Sequence, residues 1–74
     1  MKAESDVRPS RFLIDVRGDR AIVSFFDNVE EFTDDEGNIK YKYDYYTLEL
    51  TNRDGLYDEI ENNYEEYLEL AKSS

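Results

Sequence analysis

The chain has 74 residues, and 19 acidic side chains against 9 basic ones give it a net charge of −10. This length supports one domain with a small core, and the absence of cysteine excludes disulfides and thiolate zinc sites. The negative charge disfavours direct binding to nucleic acid or to an anionic membrane, because both present negatively charged phosphate groups.

The charge is distributed unevenly along the chain. Residues 1–26 carry five bases and four acids, whereas residues 27–74 carry four bases and fifteen acids, a net charge of −11. The 7 tyrosines, the 4 phenylalanines and the regular apolar spacing favour a folded domain over disorder. Met1-Lys2 is followed by no apolar run, and no segment approaches the roughly 20 apolar residues of a membrane span. We therefore expect neither a signal peptide nor a transmembrane helix, and a cytoplasmic location.

Residues 1–9 lack an apolar period, and we expect a flexible N-terminal segment that ends at Pro9. Residues 10–74 are then a single small domain. The alternating segments "RFLIDVR" and "RAIVSFF" flank Gly18-Asp19, which predicts a hairpin with a two-residue turn. The predicted cross-strand pairs are Arg17–Arg20, Val16–Ala21, Ile14–Val23 and Phe12–Phe25, all the apolar members on one face. Leu13 and Ile22 fall on the polar face, where a second packed layer or a partner can bury them.

The segment "DNVEEFT" predicts a short third strand that follows a turn at Asp27-Asn28. The next loop, "DDEGN", has Gly37 at its positive-φ position. Counting back from a two-residue Glu36-Gly37 turn predicts the pairs Phe32–Tyr41, Glu31–Lys42 and Thr33–Lys40. The same loop offers oxygen ligands that calcium accepts, but it lacks the full EF-hand spacing, so turn chemistry is the favoured interpretation of Asp34–Asn38.

The segment "KYKYDYYTLEL" predicts one long strand from residue 39 to residue 50. Its apolar residues change from odd to even positions between Tyr45 and Tyr46, and an uninterrupted strand would divide them between two faces. A β-bulge near Asp44-Tyr45-Tyr46 would restore a single apolar side. We therefore predict a kink there, with most of the tyrosines packed as one wall of the core.

The C-terminal segment predicts an amphipathic helix, capped by Asn52 or Asp54 and running to about Lys72. Seven residues fall on one arc of the helix: Leu56, Tyr57, Ile60, Tyr64, Tyr67, Leu68 and Ala71. This stripe must pack on the sheet. The predicted fold class is α+β, an antiparallel meander of three to four strands with one C-terminal helix on one face.

The residue types argue against catalysis. The chain contains no histidine and no cysteine, and its three isolated glycines form no phosphate-binding loop. We expect no enzymatic activity, no catalytic or cofactor-binding residue, no cofactor and no dedicated metal site.

Four segments together resemble a group of small uncharacterised prophage-encoded proteins of Gram-positive bacteria: "RPSRF", "FFDNVEEF", "YDYYTLEL" and "ENNYEEYLELAK". The similarity extends from Arg8 over nearly the whole chain. It implies a gene in a phage tail or late region, a product that is cytoplasmic or part of the phage particle, and no catalytic residues.

Two functions remain open. The first is a non-enzymatic interaction or assembly module with a protein partner, or with further copies of itself. It is supported by a thin core, by unprotected sheet edges, and by exposed Leu13, Ile22 and surplus tyrosines. The alternative is an acidic decoy that occupies a basic nucleic-acid-binding protein. In both hypotheses an acidic helix surface contributes, and its members are Glu61, Glu65, Glu66 and Glu69.

Overall fold

A computed structural model of the chain describes residues 1–73. Within them the elements are β1 (Lys2–Ser5), β2 (Phe12–Arg17), β3 (Arg20–Thr33), β4 (Ile39–Thr51), α1 (Leu56–Asn62) and α2 (Tyr64–Ser73). The strands form one sheet in the order β1-β4-β3-β2, and every neighbouring pair is antiparallel. The predicted α+β class, with the strands first and the helices last, is confirmed.

The first hairpin has the predicted register. Phe12 pairs with Phe25, Ile14 with Val23, and Arg17 with Arg20. Gly18 takes the left-handed conformation that a two-residue turn requires, at φ 63°. Turn and apolar alternation agree on the same pairing, so the register follows from local sequence.

The predicted turn at Asp27-Asn28 is wrong, because β3 continues through it as one strand. Asp27 pairs with Asp44, and the next pair is Glu30 with Lys42. One extra residue therefore lies on β3, which is a β-bulge. Asn28 adopts φ 52° there, a left-handed conformation that asparagine tolerates better than other non-glycine residues.

The second hairpin is shifted by one residue from the predicted register. Thr33 pairs with Ile39, and Phe32 with Lys40. The amide of Asp34 donates to the carbonyl of Asn38 (2.9 Å), so three residues form the loop instead of two. The carboxylate of Asp34 also accepts the backbone N–H groups of Glu36 (3.0 Å) and Asn38 (2.8 Å), which stabilises the wider turn.

Strand β4 is long, as predicted, but its predicted bulge and single tyrosine wall are wrong. The extra residue is on β3, so β4 alternates without a break and its tyrosines lie on both faces. Tyr46 packs on the core beneath the helices. Tyr41, Tyr43 and Tyr45 point to the other face.

The N-terminal segment contains a strand that its sequence does not predict. β1 pairs with β4, from Lys2 opposite Asp44 to Ser5 opposite Tyr41. Lys40 Nζ donates to Asp6 Oδ1 (2.7 Å) just beyond the strand. A short edge strand is held mainly by backbone hydrogen bonds, so it needs no apolar period, and the segment 1–9 shows none.

Two helices replace the single predicted one. Asn63 leaves helical geometry (φ −126°, ψ 37°), and both its backbone N–H (3.1 Å) and its side-chain amide (3.0 Å) donate to the carbonyl of Glu59. The helix start also differs from the prediction, since Gly55 precedes it in a left-handed conformation and no side chain caps it. No helix within residues 1–73 is both long enough and apolar enough to cross a membrane.

The core lies between the helices and one face of the sheet. Its buried members come from both layers: Phe12, Ala21, Val23, Phe25, Leu56, Ile60, Leu68 and Ala71. Aromatic rings link these layers, since Phe25 meets Tyr64 edge-on at 5.8 Å between ring centroids. The Arg11 guanidinium lies 3.9 Å above the Tyr64 ring, which anchors the start of β2 to α2.

Candidate interaction surface

The sheet face opposite the helices, here called the open face, carries an apolar stripe. Its members are Leu13, Ile22, Phe26, Tyr41, Tyr43 and Tyr45. Phe26 pairs with Tyr45 across the strands, and its ring meets the ring of Tyr43 edge-on at 5.3 Å. Leu13 is diagonal to both Ile22 and Phe26 in the hairpin register, within reach of each. The stripe therefore runs obliquely across three strands without a gap.

The open face is accessible although its side chains support one another. Leu13 is 58% exposed, and the other five members are half-buried. The charged residues at one end are paired: Arg17 Nε lies 3.0 Å from the Asp15 carboxylate, and Arg20 lies 2.7 Å from that of Glu49. An apolar stripe rimmed by neutralised charges has the composition of a protein-interaction surface.

The structure brings the predicted site residues Leu13 and Ile22 together on the open face. The sequence indicated surplus tyrosines but did not place Phe26, Tyr43 and Tyr45 beside these two residues. The signal for these residues was present, since strict alternation along β4 places its odd-numbered tyrosines away from the leucines at positions 48 and 50. Assigning the extra residue to the wrong strand removed that signal.

The predicted acidic surface lies on the helices, apart from the open face. All four glutamates (Glu61, Glu65, Glu66 and Glu69) are exposed. Glu61 belongs to α1 and the other three to α2, so the Asn63 interruption separates Glu61 from Glu65. Glu69 lies 3.9 Å from Lys72 Nζ. Exposure is what an acidic binding surface requires, and a solubilising surface shows it as well.

A polar cluster joins the two helices to the preceding loop. The hydroxyl of Tyr67 donates to Glu59 Oε2 (2.5 Å), and Arg53 pairs with the same carboxylate. The Tyr67 hydrogen bond, together with the Arg53 charge, lowers the pKa of Glu59. That same bond to a carboxylate raises the pKa of Tyr67. The cluster positions α2 relative to α1 and includes no nucleophile or base aimed at a cleft.

The loop Asp34–Asn38 is built as a turn. Backbone hydrogen bonding, first from Asn38, lowers the pKa of Asp34. The Asp34 carboxylate therefore forms hydrogen bonds within its own loop. Among residues 1–73, no group of three or more acidic side chains is arranged to hold a metal ion.

A scan of protein-family models, a search of curated proteins and a search of solved structures each find no match for this chain. Its function is therefore inferred from its own surfaces. The resemblance to prophage proteins stays a prediction.

Proposed function

We propose that this chain is a non-enzymatic interaction module that binds a protein partner through the open face. The observation that carries the proposal is the aromatic and aliphatic stripe on the sheet face away from the helices. In a two-layer domain that face is usually polar, because only the covered face needs apolar side chains. Here Phe26, Tyr43 and Tyr45 occupy it.

Tyrosine is well suited to such a surface. Its ring offers a large apolar area at a small cost in side-chain entropy, and its hydroxyl keeps a hydrogen-bonding group at the rim. Binding energy at protein interfaces concentrates in a few aromatic and arginine residues near the centre of the contact. The Phe26–Tyr45 pair lies at the middle of the stripe on the open face, and Tyr43 packs against Phe26 beside it.

The charge of the chain selects among partners. A net charge of −10 repels acidic proteins and speeds encounter with basic ones. The partner is therefore a protein with an apolar patch rimmed by lysine or arginine. The resemblance to prophage proteins directs the search to products of neighbouring tail or late genes.

Site-specific photocrosslinking tests the proposal. A photoreactive residue replaces Tyr43 in one version of the chain and Glu66, on the helix surface, in the matched control. Both versions are exposed to lysate of the source organism, and the adducts are identified by mass spectrometry. We expect one adduct specific to position 43, and the purified partner should bind Tyr43→Ser roughly 30-fold more weakly than the original chain.

The decoy alternative gives the opposite pattern. Adducts from position 66 alone, with binding lost in Glu61→Lys/Glu65→Lys and kept in Tyr43→Ser, would reject the open face and favour an acidic decoy. Salt sensitivity separates the two as well, because a contact made mainly of charges weakens steeply with ionic strength.

A further inference from the structure

The β2 strand forms one edge of the sheet, and its outward backbone groups have no strand beside them in the part of the chain that the structure describes. The amide of Phe26 donates to the carbonyl of Arg11 (3.0 Å), so the backbone N–H and C=O groups of the odd-numbered residues of β2 point toward β3. The N–H and C=O groups of Phe12, Ile14 and Val16 therefore point outward. Ser10 Oγ donates to the Phe12 carbonyl (3.2 Å), which keeps a second lone pair for a further donor.

The β2 edge lacks the features that usually prevent strand pairing. Its sequence, "FLIDVR", has no proline, no bulge interrupts its pairing with β3, and no lysine points inward. Leu13 is 58% exposed and Val16 is 54% exposed, one on each face of the sheet. Tyr57 is also exposed and lies against the Phe12 ring, 5.0 Å between centroids. Apolar surface thus borders the edge on both sides.

Charge identifies a second copy of this chain as the occupant of the edge. Residues 1–26, which include β2, are close to neutral, whereas the remainder carries −11. Because both edge strands, β1 and β2, belong to this near-neutral segment, two copies repel each other less at a sheet edge than at the acidic helices. The opposite edge is less suitable, because β1 has only four residues and presents Lys2 and Glu4.

We propose that the chain forms a two-fold dimer in which β2 pairs antiparallel with β2 of a second copy, centred on Ile14. In this register Ile14 lies opposite Ile14 of the second copy, and Phe12 lies opposite Val16 of the second copy. The backbone N–H and C=O groups of these residues point away from β3, so each pair exchanges backbone hydrogen bonds. Their side chains lie on the helix face, so the apolar face continues across the dimer.

The alternative register is disfavoured by charge. Shifting the centre to Asp15 keeps the faces matched, but it places two Asp15 carboxylates directly opposite each other in the closely spaced type of pair. In the Ile14-centred register Asp15 instead lies opposite Leu13 of the second copy. The dimer also covers Val16, whose exposure is otherwise a cost for a small domain.

Sedimentation equilibrium on the full chain, from low micromolar to millimolar concentration, tests the dimer. Val16→Pro removes an outward N–H while leaving the β2–β3 hydrogen bonds intact, and proline is tolerated at such edge positions. Because two symmetry-related bonds are lost, we expect about tenfold weaker dimerisation or more, with an unchanged circular dichroism spectrum. A monomer throughout the range, or a dimer that Val16→Pro leaves intact, would overturn the proposal.

A matched pair of charge variants tests the register. Leu13→Glu places two carboxylates opposite the Asp15 side chains of the facing copies, and Leu13→Lys places two ammonium groups there. We expect Leu13→Glu to dimerise roughly 2- to 30-fold more weakly than the original chain and Leu13→Lys at least as tightly. The reverse order would overturn the Ile14-centred register, since Leu13 faces Arg17 in the Asp15-centred one.

The dimer does not depend on the proposed function. Val16 lies on the helix face, outside the open face, so Val16→Pro should dimerise at least about tenfold more weakly and still capture the partner at position 43. If the original chain stays monomeric but captures the partner at position 43, the dimer proposal alone fails. If the original chain dimerises but captures nothing at position 43, the proposed function alone fails.

Discussion

Two leucines on α2 test the packing of the helices on the sheet. Leu68 is 4% exposed and belongs to the core, whereas Leu70, two residues further along the same helix, is 51% exposed. Replacing either with alanine removes the same atoms and changes helix propensity equally. The difference between the two variants therefore measures burial alone.

The expected magnitudes are far apart. A buried leucine replaced by alanine typically loses about 2–5 kcal/mol of stability, because apolar contact is lost and a cavity remains. The free energy of unfolding of a domain of this length is about 4–11 kcal/mol, so Leu68→Ala should remove a large part of the stability. At about 4–8 °C per kcal/mol, the melting temperature falls by roughly 10 °C or more. Leu70→Ala should stay within about 0.5 kcal/mol.

Urea titration followed by circular dichroism and tyrosine fluorescence measures both variants. The midpoint should shift for Leu68→Ala with an unchanged slope, since the surface exposed on unfolding is nearly the same. Equal losses for the two variants would mean that α2 is rotated about its axis or is not held on the sheet. The assignment of the helix face, and with it of the open face, would then be wrong.

Three further predictions concern the turns and the bulge. Gly37→Ala should cost about 1–2 kcal/mol in urea unfolding, because φ is 85° there and no neighbouring atom adds a steric cost. Asn28→Val should cost a similar amount of about 1–2 kcal/mol at φ 52°, whereas Asn28→Gly should stay within about 0.5 kcal/mol; equal effects would argue against the bulge. The pKa of Asp34 is lowered from 3.8 in the folded state. Its contribution to the stability of the fold is therefore present above pH 3.8 and is lost as the pH falls through the pKa of the folded state. The melting temperature of Asp34→Asn should therefore decline less steeply with acid than that of the original chain, and parallel curves would contradict this role.

The parts of the fold that sequence predicts are those in which two local signals agree. In the first hairpin the Gly18 turn and the alternation of Phe12 with Phe25 independently require the same register. In the second hairpin a single signal, Gly37, was available, and the Asp34 side chain widens the loop by one residue. The existence of the helix followed from the 3.6-residue period, but the break depends on the conformation of one residue, Asn63, whose side chain bonds locally to the Glu59 carbonyl.

Strand β1 and the open face depend on nonlocal contacts, which explains why sequence alone did not predict them. Nothing in residues 2–5 specifies pairing with β4, since the register comes from backbone groups that β4 offers at Tyr41 and Tyr43. Residue parity along β4 shows that an extra residue exists somewhere in the sheet. It does not show which strand carries that residue, because a bulge on either strand restores the pairing.

The position of this one residue decides whether the tyrosines belong to the core or to a surface. With the extra residue on β4, Tyr41 and Tyr43 would turn toward the helix side, beside the core leucines. With it on β3 at Asn28, β4 keeps its alternation, and Tyr41, Tyr43 and Tyr45 share the open face with Phe26. The core then closes with Tyr46 alone from this group, and the remaining three rings lie half-buried on the uncovered face. A bulge costs ladder hydrogen bonds and holds asparagine in a left-handed conformation, so the alignment of these rings on the uncovered face comes at a cost to stability.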